Sequence, residues 1–132
     1  MSLLTALDIN SSGLTAQRQR AEVTSNNIAN AQTTRTPEGG PFRRKDVVFQ
    51  TFLNGAENGV EVSDIVEDQT AFDRRYEPGH PDADGQGYVS YPNVNPMEEM
   101  ANLVEASRTY DANISAMNVV KSMIAKTLEL GK

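Results

Sequence analysis

The feature that most constrains the fold is an unbroken helical pattern in the last third of the chain. Asn95 is a typical N-cap residue, Pro96 stands at the first helical position, and Glu98 completes an Asn variant of the capping box. No further Gly or Pro occurs before Gly131. At about 1.5 Å per residue, the predicted helix is roughly 50 Å long. A rod of that length exceeds the core of so small a protein, so its apolar face must meet something else.

The apolar surface of this predicted helix is wider than one partner helix can cover. A main stripe repeats every three, four or seven positions, and a second apolar set widens the surface beyond a single seam. Exposed apolar side chains in such number favour association. The main stripe consists of Met100, Leu103, Tyr110, Ile114, Met117, Ile124 and Leu128, and the second set of Met97, Val104, Ala106, Ala116, Val119, Val120 and Met123.

A second helix is predicted near the start of the chain, over residues 3–31, which contain no Pro and a single Gly. Leu7, Leu14, Ala21 and Ile28 fall seven residues apart and form one narrow stripe. Helical stability comes mostly from packing an apolar face, so this helix needs a partner. Half of a helical hairpin and a packing surface shared by several chains fit this pattern equally well.

Between the helices the sequence predicts a small β-rich insert. Residues 32–40 are rich in Thr, Pro and Gly, as in loops, and residues 78–87 are irregular. Strands are predicted over residues 41–53, 59–67, 70–77 and 87–91, the first of them buried on much of both faces. The predicted fold class is α+β. Two long terminal helices pack antiparallel as a coiled-coil-like pair, with an N-terminal helix over residues 1–32, a β-rich outer insert over 33–95 and a C-terminal helix over 96–132.

Composition limits the core and the partners. Of the 132 residues only 38% are hydrophobic, and seven of the eight aromatic residues lie between Phe42 and Tyr91. Any compact core is therefore expected in the middle third. A net charge of −6 argues against nucleic acid as a partner. The chain has no Cys, no apolar stretch of membrane-spanning length and no signal-peptide pattern at its start, so we expect neither a transmembrane segment nor a cleaved signal.

No catalytic, metal-binding or cofactor-binding site is expected. His80 is the only histidine and stands in a Pro/Gly-rich loop. Asp82 and Asp84 follow it at alternate positions, but the segment lacks the remaining ligands of a calcium loop. A metal-assisted hydrolase that uses these three residues is the enzymatic alternative.

Two polar clusters stand near the predicted helix ends. Arg43-Arg44-Lys45 is the densest basic run, and an exposed strand edge is favoured over contact with the acidic stretch 57–84. Asn26, Asn27 and Asn30 either end the first helix or hydrogen-bond to backbone at a helix–loop junction. Asn95 marks the corresponding junction where the insert returns to the second helix.

Both ends of the chain resemble bacterial flagellar axial proteins. The run NNIANAQTTR at residues 26–35, within 11–49, is the most specific part of the N-terminal likeness. Residues 87–132, with PNVN, EEM and ASRTYDANI, are most similar to the proximal-rod subunits of the flagellar basal body. The resemblance covers roughly two thirds of the chain.

The resemblance implies a structural, non-enzymatic subunit of a helical rod that crosses the periplasm, transmits torque and surrounds the export channel. It implies export by the flagellar type III apparatus, contacts with copies of itself, other rod proteins and neighbouring basal-body components, and terminal helices that are disordered before assembly. The residues expected to pack within and between subunits are Leu7, Leu14, Ala21, Ile28, Leu103, Tyr110, Ile114, Met117, Ile124 and Leu128. The alternative is a monomeric secreted helical-hairpin adaptor or chaperone-like protein.

Circular dichroism of the purified chain separates the two hypotheses. Helices that fold only on assembly give low helicity at low protein concentration, and the helical signal rises as the protein is concentrated. A self-contained adaptor would be strongly helical at every concentration. High helicity in dilute protein would therefore contradict the assembly hypothesis.

Overall fold

A computed structural model describes residues 3–54 and 57–131. The positions 1, 2 and 132 of the predicted terminal segments lie outside this part of the chain. A long helix at each end flanks a region of two small sheets, which confirms the predicted order of helix, β-rich insert and helix. The elements are α1 (Leu3–Ala29), β1 (Lys45–Asn54), β2 (Glu57–Glu67), β3 (Asp73–Tyr76), β4 (Tyr88–Tyr91) and α2 (Pro96–Leu130).

Helix α2 starts at the predicted capping residues. Asn95 has extended backbone angles, and its side-chain oxygen accepts a hydrogen bond from the backbone N–H of Met97 at 3.1 Å. Pro96 follows at the start of the helix, where its missing N–H costs nothing. At the other end, the N–H of Gly131 donates to the carbonyl of Thr127 at 3.2 Å.

The two helices pack against each other along most of α1. A Cβ built on Gly13 would lie 3.2 Å from the Asn113 side-chain nitrogen, so the backbones approach closely there. Two further contacts join Arg20 to Glu105 and Asn27 to Glu99. The partner position on α2 falls from 113 to 99 as the position on α1 rises from 13 to 27. Small residues stand between the helices, where Ala16 and Ala106 are buried.

The insert consists of two separate antiparallel pairs of strands. β1 pairs with β2 from Lys45↔Glu67 to Asn54↔Glu57, with a bulge between Val48 and Phe49. β3 pairs with β4 from Asp73↔Tyr91 to Tyr76↔Tyr88. Helix α1 packs on the first pair. The hydroxyl of Ser12 accepts a hydrogen bond from the backbone N–H of Val60 at 3.1 Å, which ties the helix to β2.

The structure contradicts the expected core in the aromatic middle third. Within the described residues, the buried apolar side chains include Ala16 and Ala106 on the helices and Val89 in the insert. The prediction that the first strand is buried on much of both faces is also wrong, because Val48 and Phe49 are exposed. The physical reason is that a two-stranded sheet with one helix against it has too few layers to enclose both faces.

Neither described helix is both long and apolar enough to cross a membrane.

Replacing Gly87 by Ala should destabilise the hairpin of β3 and β4. Gly87 has φ +82°, and a Cβ there would lie 2.9 Å from the ring of Tyr76. We expect a loss of about 1–3 kcal/mol in local stability, measured by amide hydrogen exchange of β3 and β4. Gly85→Ala is the matched control, because a Cβ at Gly85 meets nothing within 4 Å. Equal exchange in the two variants would contradict the prediction.

Candidate assembly surface

The residues expected to pack between helices occupy two environments. On α1, Leu7, Leu14, Ala21 and Ile28 are all partly buried. On α2, Leu103, Tyr110, Met117 and Ile124 are also partly buried, whereas Ile114 and Leu128 are exposed. The single chain therefore covers only part of this set.

A second side of α2 exposes apolar side chains along much of its length. We call this the apolar flank; it consists of Ala112, Ala116, Val119, Met123 and Leu130. Successive members are four, three, four and seven residues apart, which places them on one side of a helix. Val119 is 58% exposed and Met123 50%. Near the start of α2, Met97, Met100 and Val104 add a second exposed apolar patch.

A buried polar cluster, here called the junction, joins the end of α1, the start of β1 and the start of α2. Its centre is the carboxylate of Glu99, which is 1% exposed. One carboxylate oxygen accepts a hydrogen bond from Arg44 Nε at 2.8 Å, and the other accepts one from the Asn27 side chain at 2.8 Å. A buried carboxylate is tolerated only when it is paired and hydrogen-bonded in this way.

The side chain of Asn27 binds both backbone groups of Lys45, the first residue of β1. Its Nδ2 donates to the carbonyl of Lys45 at 2.7 Å, and its Oδ1 accepts from the N–H of Lys45 at 3.0 Å. These two bonds resemble the pairing of one strand with another and satisfy main-chain groups at the start of β1. Asn27, itself 1% exposed, thereby fixes where the insert leaves α1.

Asn93 holds the other side of the same strand start. Its side-chain oxygen accepts from the N–H of Arg44 at 2.9 Å, and its amide donates to the carbonyl of Asp68 at 3.0 Å and to the hydroxyl of Thr70 at 2.9 Å. Arg43 also donates to the carbonyl of Asp68 at 2.8 Å. The chain entering α2 is thus tied to the open end of the β1–β2 pair, beside the start of β1 and the end of β2.

The charges at the junction are fixed by their surroundings. Partial burial lowers the pKa of Arg44, but hydrogen bonds to Glu99 and Asp46 outweigh this and hold that pKa above its usual value. Hydrogen bonds from the N–H and the hydroxyl of Thr70 lower the pKa of the Asp68 carboxyl, and Arg44 adds to this. The Arg44 guanidinium and the Asp68 carboxylate therefore both remain charged near neutral pH.

The junction corrects one sequence-based prediction and sharpens another. The run Arg43-Arg44-Lys45 was expected to be an exposed strand edge; instead Arg44 is partly buried and pairs with Glu99 and with Asp68, 3.7 Å away. The physical reason is that a buried carboxylate requires a cation beside it. Of the four Asn residues expected at helix–loop junctions, Asn27 joins the cluster. Asn26 and Asn30 bond to each other, and Asn95 caps α2.

Sequence reasoning missed Glu99 and Asn93. Glu99 stands in the first turn of a predicted helix, where an acidic residue is usually exposed and complements the helix dipole. Asn93 reads as a loop residue. One weak signal could have predicted that Asn93 and Glu99 join the junction. Both lie within about one turn of Asn95, where the insert rejoins the helix.

The alternative metal set does not assemble. Asp82 pairs with Arg35 at 2.9 Å and accepts from the Thr34 hydroxyl at 2.8 Å, while Asp84 pairs with Arg74. The ring nitrogen Nδ1 of His80 accepts from the N–H of Asp82 at 3.0 Å. Among residues 3–54 and 57–131, no group of three or more His, Cys, Asp or Glu side chains is placed to hold a metal ion.

Comparison with known proteins gives consistent matches. Residues 7–35 match the family model described as flagella basal body rod protein, and residues 86–130 match the one described as flagellar basal body rod FlgEFG protein C-terminal. The chain is 48% identical to the flagellar basal-body rod protein FlgC of Escherichia coli O157:H7 over the full length of both. It is 44% identical to the FlgC of Bacillus subtilis, also over full length, and 41% identical to that of Borreliella burgdorferi over 98% of each chain.

Replacing Glu99 by Ala should weaken the junction, because Arg44 and Asn27 would lose their shared partner. Removing one member of a buried pair costs about 3–5 kcal/mol, and the partial exposure of Arg44 places the expected loss at the lower end. The urea midpoint of protein concentrated enough to be helical measures it. Asp111→Ala, an exposed acid in the middle of the same helix, should change stability by less than about 0.5 kcal/mol. Similar midpoints for the two variants would contradict a stabilising role for Glu99.

Proposed function

The chain belongs to the flagellar basal-body rod protein FlgC family, and on that premise we propose that it is a structural subunit of the proximal rod that assembles through the exposed apolar surface of α2. The relatives named above are rod proteins in bacteria as distant as Escherichia coli and Borreliella burgdorferi. The assembly mechanism is supported by one observation: the folded chain leaves the side chains of the apolar flank exposed to solvent.

The energetic cost of leaving this surface in water is large for so small a protein. Fully burying a Val or Met side chain stabilises by roughly 1.5–3 kcal/mol. Val119 and Met123 stand a single turn apart and are each about half exposed. The flank lies on α2 away from the side that faces α1, so a neighbouring subunit can cover it without disturbing the contact between the two helices.

We infer that α1 and α2 form an antiparallel, coiled-coil-like pair in the inner layer of the rod. The contacts between the helices support this arrangement, because the residue number on α2 decreases as the number on α1 increases, from Gly13 with Asn113 to Asn27 with Glu99. The segments 1–32 and 96–132 would then form the inner tube, and the segment 33–95 the outer layer. The residues expected to pack between helices, from Leu7 to Leu128, lie along both helices. They would contribute to contacts within the subunit and between subunits.

The junction gives this arrangement its rigidity. Asn27 belongs to α1, Glu99 to α2, and Arg44 to the insert just before β1. The insert therefore cannot move away from the helices without leaving a buried carboxylate unpaired. A rod that carries torque requires each subunit to hold its outer part firmly on its inner part. The junction supplies that link in every copy.

The partners follow from the same role. We propose that the subunit contacts copies of itself, other rod proteins and neighbouring basal-body components. It would reach the rod through the flagellar type III export apparatus without a cleaved signal peptide, and it would work in the periplasm. The adaptor or chaperone-like alternative has no support in the comparisons, and the family is one of structural rather than catalytic proteins.

A single charge on the apolar flank should block assembly. Val119→Asp places a carboxylate where a neighbouring subunit would bury it, while the exposed position leaves the fold of the chain intact. We expect loss of motility on soft agar and loss of the protein from purified basal bodies, with export into the medium retained. Asn118→Asp, an exposed residue next to Val119 in sequence and about 100° around α2 from it, is the matched control and should remain motile.

Two outcomes would contradict the proposal. A motile strain that carries Val119→Asp, with normal amounts of the protein in its basal bodies, would show that the flank is not buried in the rod. Equal loss of assembly in Asn118→Asp would show that α2 tolerates no added charge, and the effect could then not be assigned to the apolar flank.

A further inference from the structure

Two loops of the insert meet at the carboxylate of Asp82. The first, here called the exit loop, consists of residues 30–44 and connects α1 to β1. The second, the hairpin loop, consists of residues 77–87 and connects β3 to β4. Asp82 belongs to the hairpin loop, and its carboxylate accepts a hydrogen bond from the Thr34 hydroxyl at 2.8 Å and pairs with Arg35 Nε at 2.9 Å. Through Asp82 the hairpin loop therefore holds the exit loop.

The backbone at Asp82 is held in turn by the imidazole of His80. The N–H of Asp82 donates a hydrogen bond to Nδ1 of His80 at 3.0 Å. A side chain that accepts from the N–H two residues later closes a local turn, as Asn and Asp side chains commonly do. This turn fixes the backbone from which the Asp82 carboxylate reaches Thr34 and Arg35.

The bond between Asp82 and His80 can form only while the imidazole is neutral. A neutral imidazole has one nitrogen that accepts a hydrogen bond, whereas both nitrogens of the cation donate. Histidine is the side chain whose charge ordinarily changes between pH 5 and 8. The bond is therefore present at the upper end of this range and is lost as the pH falls through it. After protonation, two N–H groups face each other where the bond had been.

The ring beside His80 already binds a cation. The centroid of the Tyr91 ring lies 6.4 Å from that of His80, and the Arg75 guanidinium lies 4.5 Å from the same Tyr91 ring. The Tyr91 hydroxyl donates to Glu77 at 3.1 Å. Burial raises the pKa of Tyr91, and the hydrogen bond to Glu77 adds to this, so Tyr91 stays neutral between pH 5 and 8.

The other charged groups around the hairpin loop are paired with one another. A protonated His80 would have to take a carboxylate from one of these pairs, which would weaken another contact of the loop. The pairs are Asp82 with Arg35, Asp84 with Arg74 and Asp73 with Arg75.

We propose that His80 is a pH-sensitive latch between the two loops. Its neutral form holds the turn that presents Asp82 to the exit loop. Its protonated form releases that turn, and the exit loop then moves more freely relative to the β3–β4 pair. The latch is a property of the single folded chain and does not depend on the proposed role in the rod.

The exit loop contains amides that report on this release. The N–H of Thr36 donates to the carbonyl of Gly40 at 2.8 Å, and the N–H of Phe42 donates to the carbonyl of Thr33 at 2.9 Å. Amide hydrogen exchange accelerates when a segment opens locally. These amides are remote from position 80 in sequence, so a substitution of His80 leaves their intrinsic exchange rates unchanged.

His80→Asn is the matched variant for the test. The Asn side-chain oxygen accepts from the N–H two residues later and is uncharged at every pH, and Asn before Pro favours a turn. Exchange over residues 33–42 is measured by mass spectrometry at pH 7.5 and pH 5, on full chains concentrated enough to be helical. We expect the two proteins to agree within about twofold at pH 7.5. At pH 5 the unmodified chain should exchange at least about fivefold faster than His80→Asn.

Asp82→Ala tests whether the effect passes through the proposed contact. It removes the carboxylate that Thr34 and Arg35 bind, so exchange over residues 33–42 should be fast at both pH values. Adding His80→Asn to Asp82→Ala should then change nothing. Equal exchange of the unmodified chain and His80→Asn at pH 5 would overturn the latch, and so would a difference at pH 5 that persists between the two Asp82→Ala proteins.

A measurement on the unmodified chain serves if His80→Asn does not fold. The amide proton of Asp82 is followed by nuclear magnetic resonance from pH 7.5 to pH 5. We expect its resonance to shift in step with the imidazole protons of His80, because the bond to Nδ1 is lost on protonation. An Asp82 resonance that stays in place while the imidazole titrates would overturn the proposal.

Discussion

The rest of the structure depends on one buried carboxylate. Glu99 lies at the start of α2 and is held by Arg44, which directly precedes β1, and by Asn27 from α1. A charge in that position is tolerated only while all its partners stay in place. The three elements are therefore fixed relative to one another by a single cluster, and the two helices and the insert behave as one unit although their apolar core is small.

The small core explains the distribution of apolar residues. The buried apolar side chains on the two helices are small, such as Ala16 and Ala106, while larger side chains such as Val119 and Met123 remain exposed. A protein selected to stand alone would place its large apolar side chains inside. A subunit of an assembly divides its burial between its own fold and its neighbours, and the polar junction holds the helices and the insert together within each subunit.

Local signals in the sequence were sufficient for the secondary structure. The Asn95-Pro96 start and the uninterrupted run that follows predicted α2. The Pro/Gly-rich loop around residues 32–40 separated α1 from the first strand, and the loop around residues 78–87 separated the last two strands. Burial could not be predicted in the same way, because it depends on how many layers cover a strand. Val48 and Phe49 have the composition of buried strand residues, yet only one helix packs on their sheet. The junction was predicted only at Asn27, since nothing local distinguishes Glu99 from the exposed acid beside it.

The most direct measurement is a density map of the assembled basal body at side-chain resolution, with this chain traced in the proximal rod. If subunits assemble through α2, the map will show α1 and α2 in the inner layer and Val119 and Met123 packed against a neighbouring helix. The Asn27–Glu99–Arg44 cluster will be intact in each copy. A map in which the apolar flank faces solvent, or in which the junction is separated in the assembled state, would contradict this mechanism.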